Sequence, residues 1–290
     1  MTAATSVARP IIYTSVAMLA FAGNSIICRL ALRDGAIDPA TFTSIRLLAG
    51  AAALLLIFTV TRRNATFRAH GSWLSAFTLF LYATTFSFAY VTLSAGAGAL
   101  ILFAFVQATM IAMGLWSGDR PSGMEWLGWT LAIAGVIWLV LPGVAAPPAG
   151  GALLMALSGI AWGIYSIRGR TESDALGATT TNFLMTVVFV IALMAMTFAD
   201  ADISTRGVLL AATSGALTSG IGYVIWYAAL NYLDAMQAAM VQLTVPAIAA
   251  AGGVLLLAEP VSMRLLISCA LILGGISVAV VRKSKKAENS

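Results

Sequence analysis

The chain has 290 residues, of which 60% are hydrophobic and 9% are charged, and its formal net charge is +5 at pH 7. Soluble globular domains are about 45–50% apolar and about 25% charged, so this composition excludes an ordinary soluble enzyme, a disordered chain and a secreted disulfide scaffold. The basic residues are scattered through short loops rather than massed on one face, which excludes a nucleic-acid-binding surface.

Apolar runs of about 20 residues alternate with short polar turns along the whole chain, which is the pattern of a helical membrane protein. We predict an all-α polytopic fold with ten transmembrane helices. Pro246, inside the ninth of them, removes a backbone donor and predicts a bend. The predicted spans are residues 10–32, 38–60, 72–91, 95–116, 123–141, 150–168, 177–198, 206–230, 234–257 and 262–282.

An even number of spans places both termini on the same side of the membrane. If that side is the cytoplasm, eleven of the sixteen Lys and Arg residues face it and four face the other side, while Arg46 lies inside the second span. Cytoplasmic loops are enriched in Lys and Arg. We therefore predict a multi-pass protein of the bacterial inner membrane with both termini in the cytoplasm.

The second half of the sequence resembles the first half when the two are offset by 140 residues. This offset aligns Asp119 with Glu259, each in a short loop after an apolar run, and it aligns Gly135 with Gly275. Loops then match loops and glycines match glycines without a gap. Self-similarity at one fixed offset is typical of an internal duplication.

The duplication predicts two five-helix repeats, residues 1–145 and residues 146–290. Because five is odd, the two repeats enter the membrane from opposite sides and form an inverted-topology pair. Such pairs place a substrate near the middle of the membrane and open it to each side in turn. The arrangement predicts transport by alternating access.

The candidate substrate-binding residues are polar and aromatic side chains in or near the middle of predicted spans, where such residues are costly against lipid. Several lie three or four positions apart and so share one helix face. Rings offer apolar contact and attract an ammonium group, while amides and hydroxyls orient a solute. Helix packing is the alternative role. The candidates are Asn24, Ser25, Arg46, Tyr82, Phe86, Gln107, Trp162, Tyr165, Tyr223, Trp226 and Gln242.

Arg46 is the only ionisable residue deep inside a predicted span. Three roles are open for it: binding a substrate carboxylate, capping backbone carbonyls of a span, or forming a gate with Asp34 or Asp38. Intramembrane charges are usually functional but are not always ligands.

The residue inventory argues against an intramembrane enzyme and predicts no cofactor and no metal. The chain has one histidine, His70, and two cysteines that lie in apolar runs, Cys28 and Cys269. No Asp or Glu lies in the middle of a span. A proton-coupled cation exporter normally uses such a carboxylate, so neutral and zwitterionic solutes are favoured.

Short motifs lie near the end of each half: Gly118-Asp119-Arg120-Pro121 in the first half, and Ala258-Glu259-Pro260 and Gly274-Gly275 in the second. They resemble the motifs of the EamA-type transporters of the drug/metabolite transporter superfamily. In the first half Asp takes the place of the usual Glu. The resemblance implies ten spans, a central cavity and export of small metabolites, with amino-acid exporters of the YddG type as one such group.

The sequence therefore predicts an exporter of small neutral or zwitterionic metabolites, with amino acids, including aromatic ones, as the favoured substrates. A drug or multidrug efflux carrier is the first alternative, and a channel or membrane scaffold is the second. The expected partners are a small-molecule substrate and membrane lipid. Whether the protein is a monomer or a homodimer is left open.

Overall fold

A computed structural model describes residues 3–62, 71–118, 120–143, 146–169, 172, 174–233 and 235–288. These residues form helices and short turns, apart from an isolated antiparallel bridge between Ile37 and Ile203. The elements are α1 (Ala3–Leu32), α2 (Pro39–Thr61), α3 (Trp73–Tyr90), α4 (Ala95–Trp116), α5 (Gly123–Val140), α6 (Ala149–Gly169), α7 (Ala175–Thr197), a 3₁₀ turn (Phe198–Asp200), α8 (Thr205–Thr213), a π-helical segment (Ser214–Ile221), α9 (Gly222–Leu230), α10 (Ala235–Gln242), α11 (Thr244–Leu257) and α12 (Met263–Glu288).

Within the described residues, eight helical segments are long and apolar enough to cross a membrane, and a shorter apolar helix covers Met263–Ala279. The predicted third span, α3, is not among the eight, although it has 18 residues and no charged side chain. It carries Ser, Thr and Tyr residues, which lower its hydropathy. The prediction of an all-helical, multi-pass membrane protein is confirmed, and the count of ten spans stays a prediction.

The predicted eighth span is continuous but changes its helical winding twice, from α8 through the π-helical segment to α9. A π-helical turn is rare and widens the helix locally. Here it coincides with a close contact between backbones, because a Cβ atom on Gly215 would clash with the carbonyl oxygen of Arg46 in α2. The π-helical segment therefore lies directly against the middle of α2.

The predicted ninth span is broken into α10 and α11 by a turn at Leu243. Pro246 explains the break, because it cannot donate a hydrogen bond and its ring clashes with the carbonyl four residues earlier, that of Gln242. Gln242 is the last residue of α10, and Pro246 is the third residue of α11. The bend predicted at Pro246 is thus present as a break.

Helices from the two sequence halves pack on each other throughout the bundle. The most extensive pair is α5 with α12, where Gly128 and Gly275 face each other. A Cβ atom on Gly128 would lie 2.5 Å from the carbonyl oxygen of Gly275. Small residues let transmembrane backbones approach this closely. Elsewhere α2 packs on α7 and on the π-helical segment, and α3 and α4 pack on α6.

Candidate functional site

A cavity lies between the two sequence halves. Its free space admits only about one or two water molecules, because the lining side chains lie close together. The first half contributes residues from α1, α3 and α4, and the second contributes α6, the π-helical segment and α9. The lining consists of Phe21, Asn24, Ser25, Tyr82, Phe86, Leu102, Phe103, Trp162, Thr218 and Tyr223.

Aromatic rings form one wall of the cavity, and Trp162 is at its centre. The Trp162 ring centroid lies 4.8 Å from that of Tyr82, 5.2 Å from that of Tyr223 and 5.5 Å from that of Tyr165. Tyr82 also contacts Phe86, at 5.4 Å. Ring pairs at these distances are favourable beyond the area that they bury. The wall can stack a flat apolar group of a solute.

A hydrogen-bonded amide, Asn24, forms the polar side of the cavity. Its Oδ1 accepts hydrogen bonds from Ser214 Oγ at 2.7 Å and from Thr218 Oγ1 at 3.1 Å. Its Nδ2 donates to the hydroxyl oxygen of Tyr82 at 3.4 Å. Both donors to Oδ1 come from the π-helical segment, so Asn24 connects α1 of the first half to the second half with a fixed amide orientation.

Arg46 lies behind this wall rather than in it, and its side chain is 1% exposed. Its Nη2 donates to Tyr82 Oη at 2.9 Å, and its Nε donates to Ser219 Oγ at 3.3 Å. Its guanidinium carbon lies 5.2 Å from the ring centroid of Tyr82 and 5.0 Å from that of Phe86, within cation–π range. Nη1 has no hydrogen-bond partner among the described residues.

The gate considered for Arg46 is not formed in this structure. Asp38 caps the first turn of α2 by accepting from the backbone of Ala40 and Thr41, and Asp34 pairs with Arg33 at 3.0 Å. The contacts of Arg46 are instead with hydroxyls and rings. The hydrogen bonds of Arg46 that involve described residues go to side-chain hydroxyls and not to backbone carbonyls, and Nη1 is without a partner among these residues, so carboxylate binding stays a prediction.

The structure brings six of the eleven predicted site residues to the cavity wall. Of the others, Arg46 lies behind the wall, Tyr165 lines a second pocket, and Trp226 contacts Phe21 with a centroid distance of 5.9 Å. Gln107 is buried without a partner for Nε2 among the described residues, and Gln242 is half-buried at the end of α10. The six wall residues are Asn24, Ser25, Tyr82, Phe86, Trp162 and Tyr223.

Four lining residues were not among the candidates: Phe21, Leu102, Phe103 and Thr218. Phe21 lies three positions before Asn24, so helical spacing could have indicated it. Thr218 lies five positions before Tyr223, a spacing that does not place two residues on one face of a regular α-helix. Leu102 and Phe103 carry no such signal, because apolar residues in a span look the same whether they face lipid, protein or a cavity.

A second, smaller pocket lies beyond Tyr165. Trp162 lines the first cavity, Tyr165 lines the second, and the two rings are in contact. This ring pair therefore separates the two spaces. The second pocket is lined by Ser75, Tyr165, Gly169, Glu172, Ala175, Ala178, Thr179, Asn182 and Tyr227.

A polar cluster, named here the Glu259 cluster, ties three segments together at the end of α1. Glu259 Oε1 accepts from Arg29 Nε at 3.1 Å, and its Oε2 accepts from the backbone nitrogen of Ala95 at 2.8 Å. Arg29 also donates to the carbonyls of Tyr90 and Val91, both at 2.9 Å. The carboxylate thus lies at the N-terminus of α4, where the helix dipole favours a negative charge.

The chain after α11 is shaped to hold this carboxylate in place. Ala258 ends α11 in a left-handed conformation, with φ of 52°, and the backbone nitrogen of Glu259 donates to the carbonyl of Gly253 at 3.0 Å. A Cβ atom on Gly253 would lie 2.6 Å from Glu259 Oε2, so a larger residue there would displace the carboxylate. Asp119, the residue that the repeat aligns with Glu259, lies outside the described residues.

Another ion pair, named here the Asp174 pair, joins the C-terminal end of α2 to the start of α7. Arg62 donates to both carboxylate oxygens of Asp174, at 2.5 and 2.9 Å. Asp174 also caps the N-terminus of α7. The 23 residues of α2 span about 35 Å, so the Glu259 cluster and the Asp174 pair lie at opposite ends of the bundle.

Comparisons with known proteins show which family the chain resembles. Residues 8–141 and residues 149–281 each match the EamA-like transporter family. An uncharacterized protein of Pseudomonas aeruginosa is 47% identical over 279 residues, which are 96% of this chain and 97% of that protein. A crystal structure with 18% identity superposes with a TM-score of 0.65, covering 94% of this chain and 97% of the other, and shows a shared fold.

Proposed function

The chain belongs to the EamA-like transporter family, in the drug/metabolite transporter superfamily, and on that premise we propose that it exports small neutral or zwitterionic metabolites. Amino acids, including aromatic ones, are the substrates that we favour. The observation that carries this proposal is the cavity between the two halves, where rings from α3, α6 and α9 face the amide of Asn24. A solute with one apolar and one polar end matches such a lining.

Transport is proposed to proceed by alternating access between the repeats 1–145 and 146–290. We count ten spans by including α3 and Met263–Ala279. With both termini in the cytoplasm, the Glu259 cluster is then on the outer side of the membrane and the Asp174 pair is on the inner side. Contacts between loops support this count, because the turn before α2 bonds to the turn before α8 and Arg264 bonds to the carbonyl of Leu141. In the proposed cycle the Glu259 cluster opens towards the outside, and the Asp174 pair opens towards the cytoplasm.

Counterflow in proteoliposomes tests the proposed function. Vesicles loaded with an unlabelled aromatic amino acid should transiently accumulate the labelled form above its external concentration, because a carrier exchanges solute one molecule at a time. A channel would let the label equilibrate without accumulation, and a scaffold would give no flux. Competition by lipophilic cations alone would replace the amino-acid assignment with multidrug efflux.

The proposed orientation predicts where water-soluble reagents can reach the chain. In a protein without Cys28 and Cys269, a cysteine at Ser117 should react only from the cytoplasmic side, and a cysteine at Asp202 only from the outside. Both positions are exposed in loops that follow α4 and α7, respectively. Labelling with a membrane-impermeant maleimide in right-side-out and inside-out vesicles measures this. Reaction of Ser117→Cys from the outside would invert the topology.

We expect no proton coupling, because none of the described carboxylates stands free in the cavity. Glu125, although buried, completes the capping box of α5 with Ser122, and Glu259 is paired with Arg29. Asp234 lies outside the described residues. An imposed pH gradient without a solute gradient should therefore drive no net amino-acid flux in proteoliposomes. Uphill flux under that gradient would contradict this expectation.

A further inference from the structure

The guanidinium of Arg46 is buried in the centre of the bundle with one of its donors unused. Its side chain is 1% exposed, and Nη1 has no hydrogen-bond partner among the described residues. Its two recorded hydrogen bonds are to neutral hydroxyls, those of Tyr82 and Ser219. Burying a charge is costly unless it is paired and hydrogen-bonded. The observed contacts therefore offset only part of the free-energy cost of burying the Arg46 charge.

The arginine is one side chain away from the cavity. Its guanidinium stacks on Tyr82 and Phe86, and both of these residues line the cavity. The hydroxyl oxygen of Tyr82 accepts from Arg46 and also from Asn24. A group that enters beside this hydroxyl therefore meets Tyr82 and Asn24 in the wall and lies next to Arg46 behind it.

We infer that the solutes carried by this protein bear a carboxylate, which binds at the Tyr82 hydroxyl. The positive charge of Arg46, whose Nη1 is free within the described residues, balances the negative charge of this carboxylate. This inference rests on the proposed transport function and deepens it. Charge-assisted hydrogen bonds are about twice as strong as neutral ones, and an arginine matches a carboxylate in shape. The same positive charge disfavours a lipophilic cation in the cavity.

Binding at this position acts on both repeats at once. Arg46 and Tyr82 belong to the first half, while Ser219 belongs to the π-helical segment of the second half, which lies against the backbone of α2 at Gly215. A carboxylate that draws Arg46 towards the cavity would weaken its contact with Ser219. The substrate therefore acts on a contact between the halves, where alternating access requires movement.

The experiment compares matched ligands in the counterflow assay on the intact protein. Phenylalanine and phenylalaninamide differ only in the carboxylate, and hydrocinnamate keeps the carboxylate without the ammonium group. Phenylalanine should compete with the labelled amino acid at least about tenfold more strongly than its amide. Hydrocinnamate should compete more strongly than phenethylamine, which has the ammonium group alone.

Substitutions then assign the discrimination to Arg46. In Arg46→Gln the ratio between acid and amide should fall towards one, and Arg46→Lys should restore part of it. Ser219→Ala removes the contact that the carboxylate has to weaken, so this variant should keep the ratio or raise it. If Arg46→Gln does not fold, the ligand comparison on the unaltered protein still tests the carboxylate, and the ratio in Arg46→Lys, which should lie below that of the unaltered protein, tests the arginine.

The outcomes separate this inference from the function on which it rests. Equal competition by phenylalanine and its amide, or strong competition by a lipophilic cation, overturns the carboxylate assignment while transport itself stands. Absence of counterflow with every solute contradicts the proposed function instead. An unchanged ratio in Arg46→Gln would show that a group other than Arg46 recognises the carboxylate.

Discussion

Replacing Glu259 with glutamine should open the protein to the outside and slow transport about tenfold or more. Each carboxylate oxygen of Glu259 accepts from a donor, one from Arg29 and one from the backbone nitrogen of Ala95. Whichever way the glutamine amide turns, its NH₂ group faces one of these donors. The side chains of Arg29 and Glu259 are only 17% and 10% exposed, so breaking their ion pair should destabilise the outward-closed state by about 3 kcal/mol. This free energy shifts the equilibrium between the open and closed states about a hundredfold.

Accessibility of Ser25 measures this shift without requiring a known substrate. Ser25 lines the cavity and is 1% exposed. In a protein without the native cysteines, Ser25→Cys should react from the outside much faster when Glu259→Gln is also present. Asp202→Asn is the matched control, because this residue lies on the same proposed side with an exposed side chain. Unchanged labelling in the Glu259 variant would mean that the Glu259 cluster does not keep the cavity closed on the outer side.

Removing the ring of Trp162 should produce the second large effect. Trp162 contacts three tyrosine rings and lines the cavity, so Trp162→Ala deletes the centre of the stacking wall. We expect the apparent affinity for aromatic amino acids to fall about tenfold, and the affinity for alanine to change little. Each ring contact contributes about 0.5–1.5 kcal/mol beyond its buried area. Concentration dependence of counterflow gives both affinities.

Two companion variants control for effects on folding. Trp162→Phe keeps an aromatic ring and should recover most of the affinity, and Trp116→Ala removes a tryptophan that is 88% exposed and should behave like the unaltered protein. Trp226→Ala should weaken transport of large amino acids less than Trp162→Ala does, because Trp226 does not line the cavity. Tyr82→Ala also removes the hydroxyl at the proposed carboxylate position, so it should weaken transport of all amino acids. An equal loss for alanine and for aromatic amino acids would mean that Trp162 supports the fold rather than the substrate.

Much of the helical layout could be predicted from hydropathy and turn residues, because a lipid-facing helix must be apolar over its whole length. The predicted second span, 38–60, differs by one residue at each end from the observed Pro39–Thr61. Pro246 indicated the break in the ninth span, because a proline ring disrupts a helix through contacts with its own chain within four residues. The π-helical segment could not be predicted in this way, because it coincides with the contact of Gly215 with α2, which is remote in sequence.

The candidate site was predictable only in part. Tyr82 and Phe86, four positions apart, do share a face and line the cavity. Gln107 and Gln242 were chosen because an amide facing lipid is costly, yet burial between helices removes them from lipid equally well. The connection from Asn24 to Ser214 and Thr218 joins residues about 190 positions apart, and no periodicity in one sequence reports such a pairing.

The central claim is that one cavity is reached alternately from the two sides of the membrane. A single cysteine at Ser25, labelled from each side in right-side-out and inside-out vesicles, tests it most directly. We predict reaction from both sides, with protection by phenylalanine on each side and no ion leak through the protein during labelling. Reaction from one side alone, whatever solute is present, or a continuous leak in the unlabelled protein would contradict alternating access.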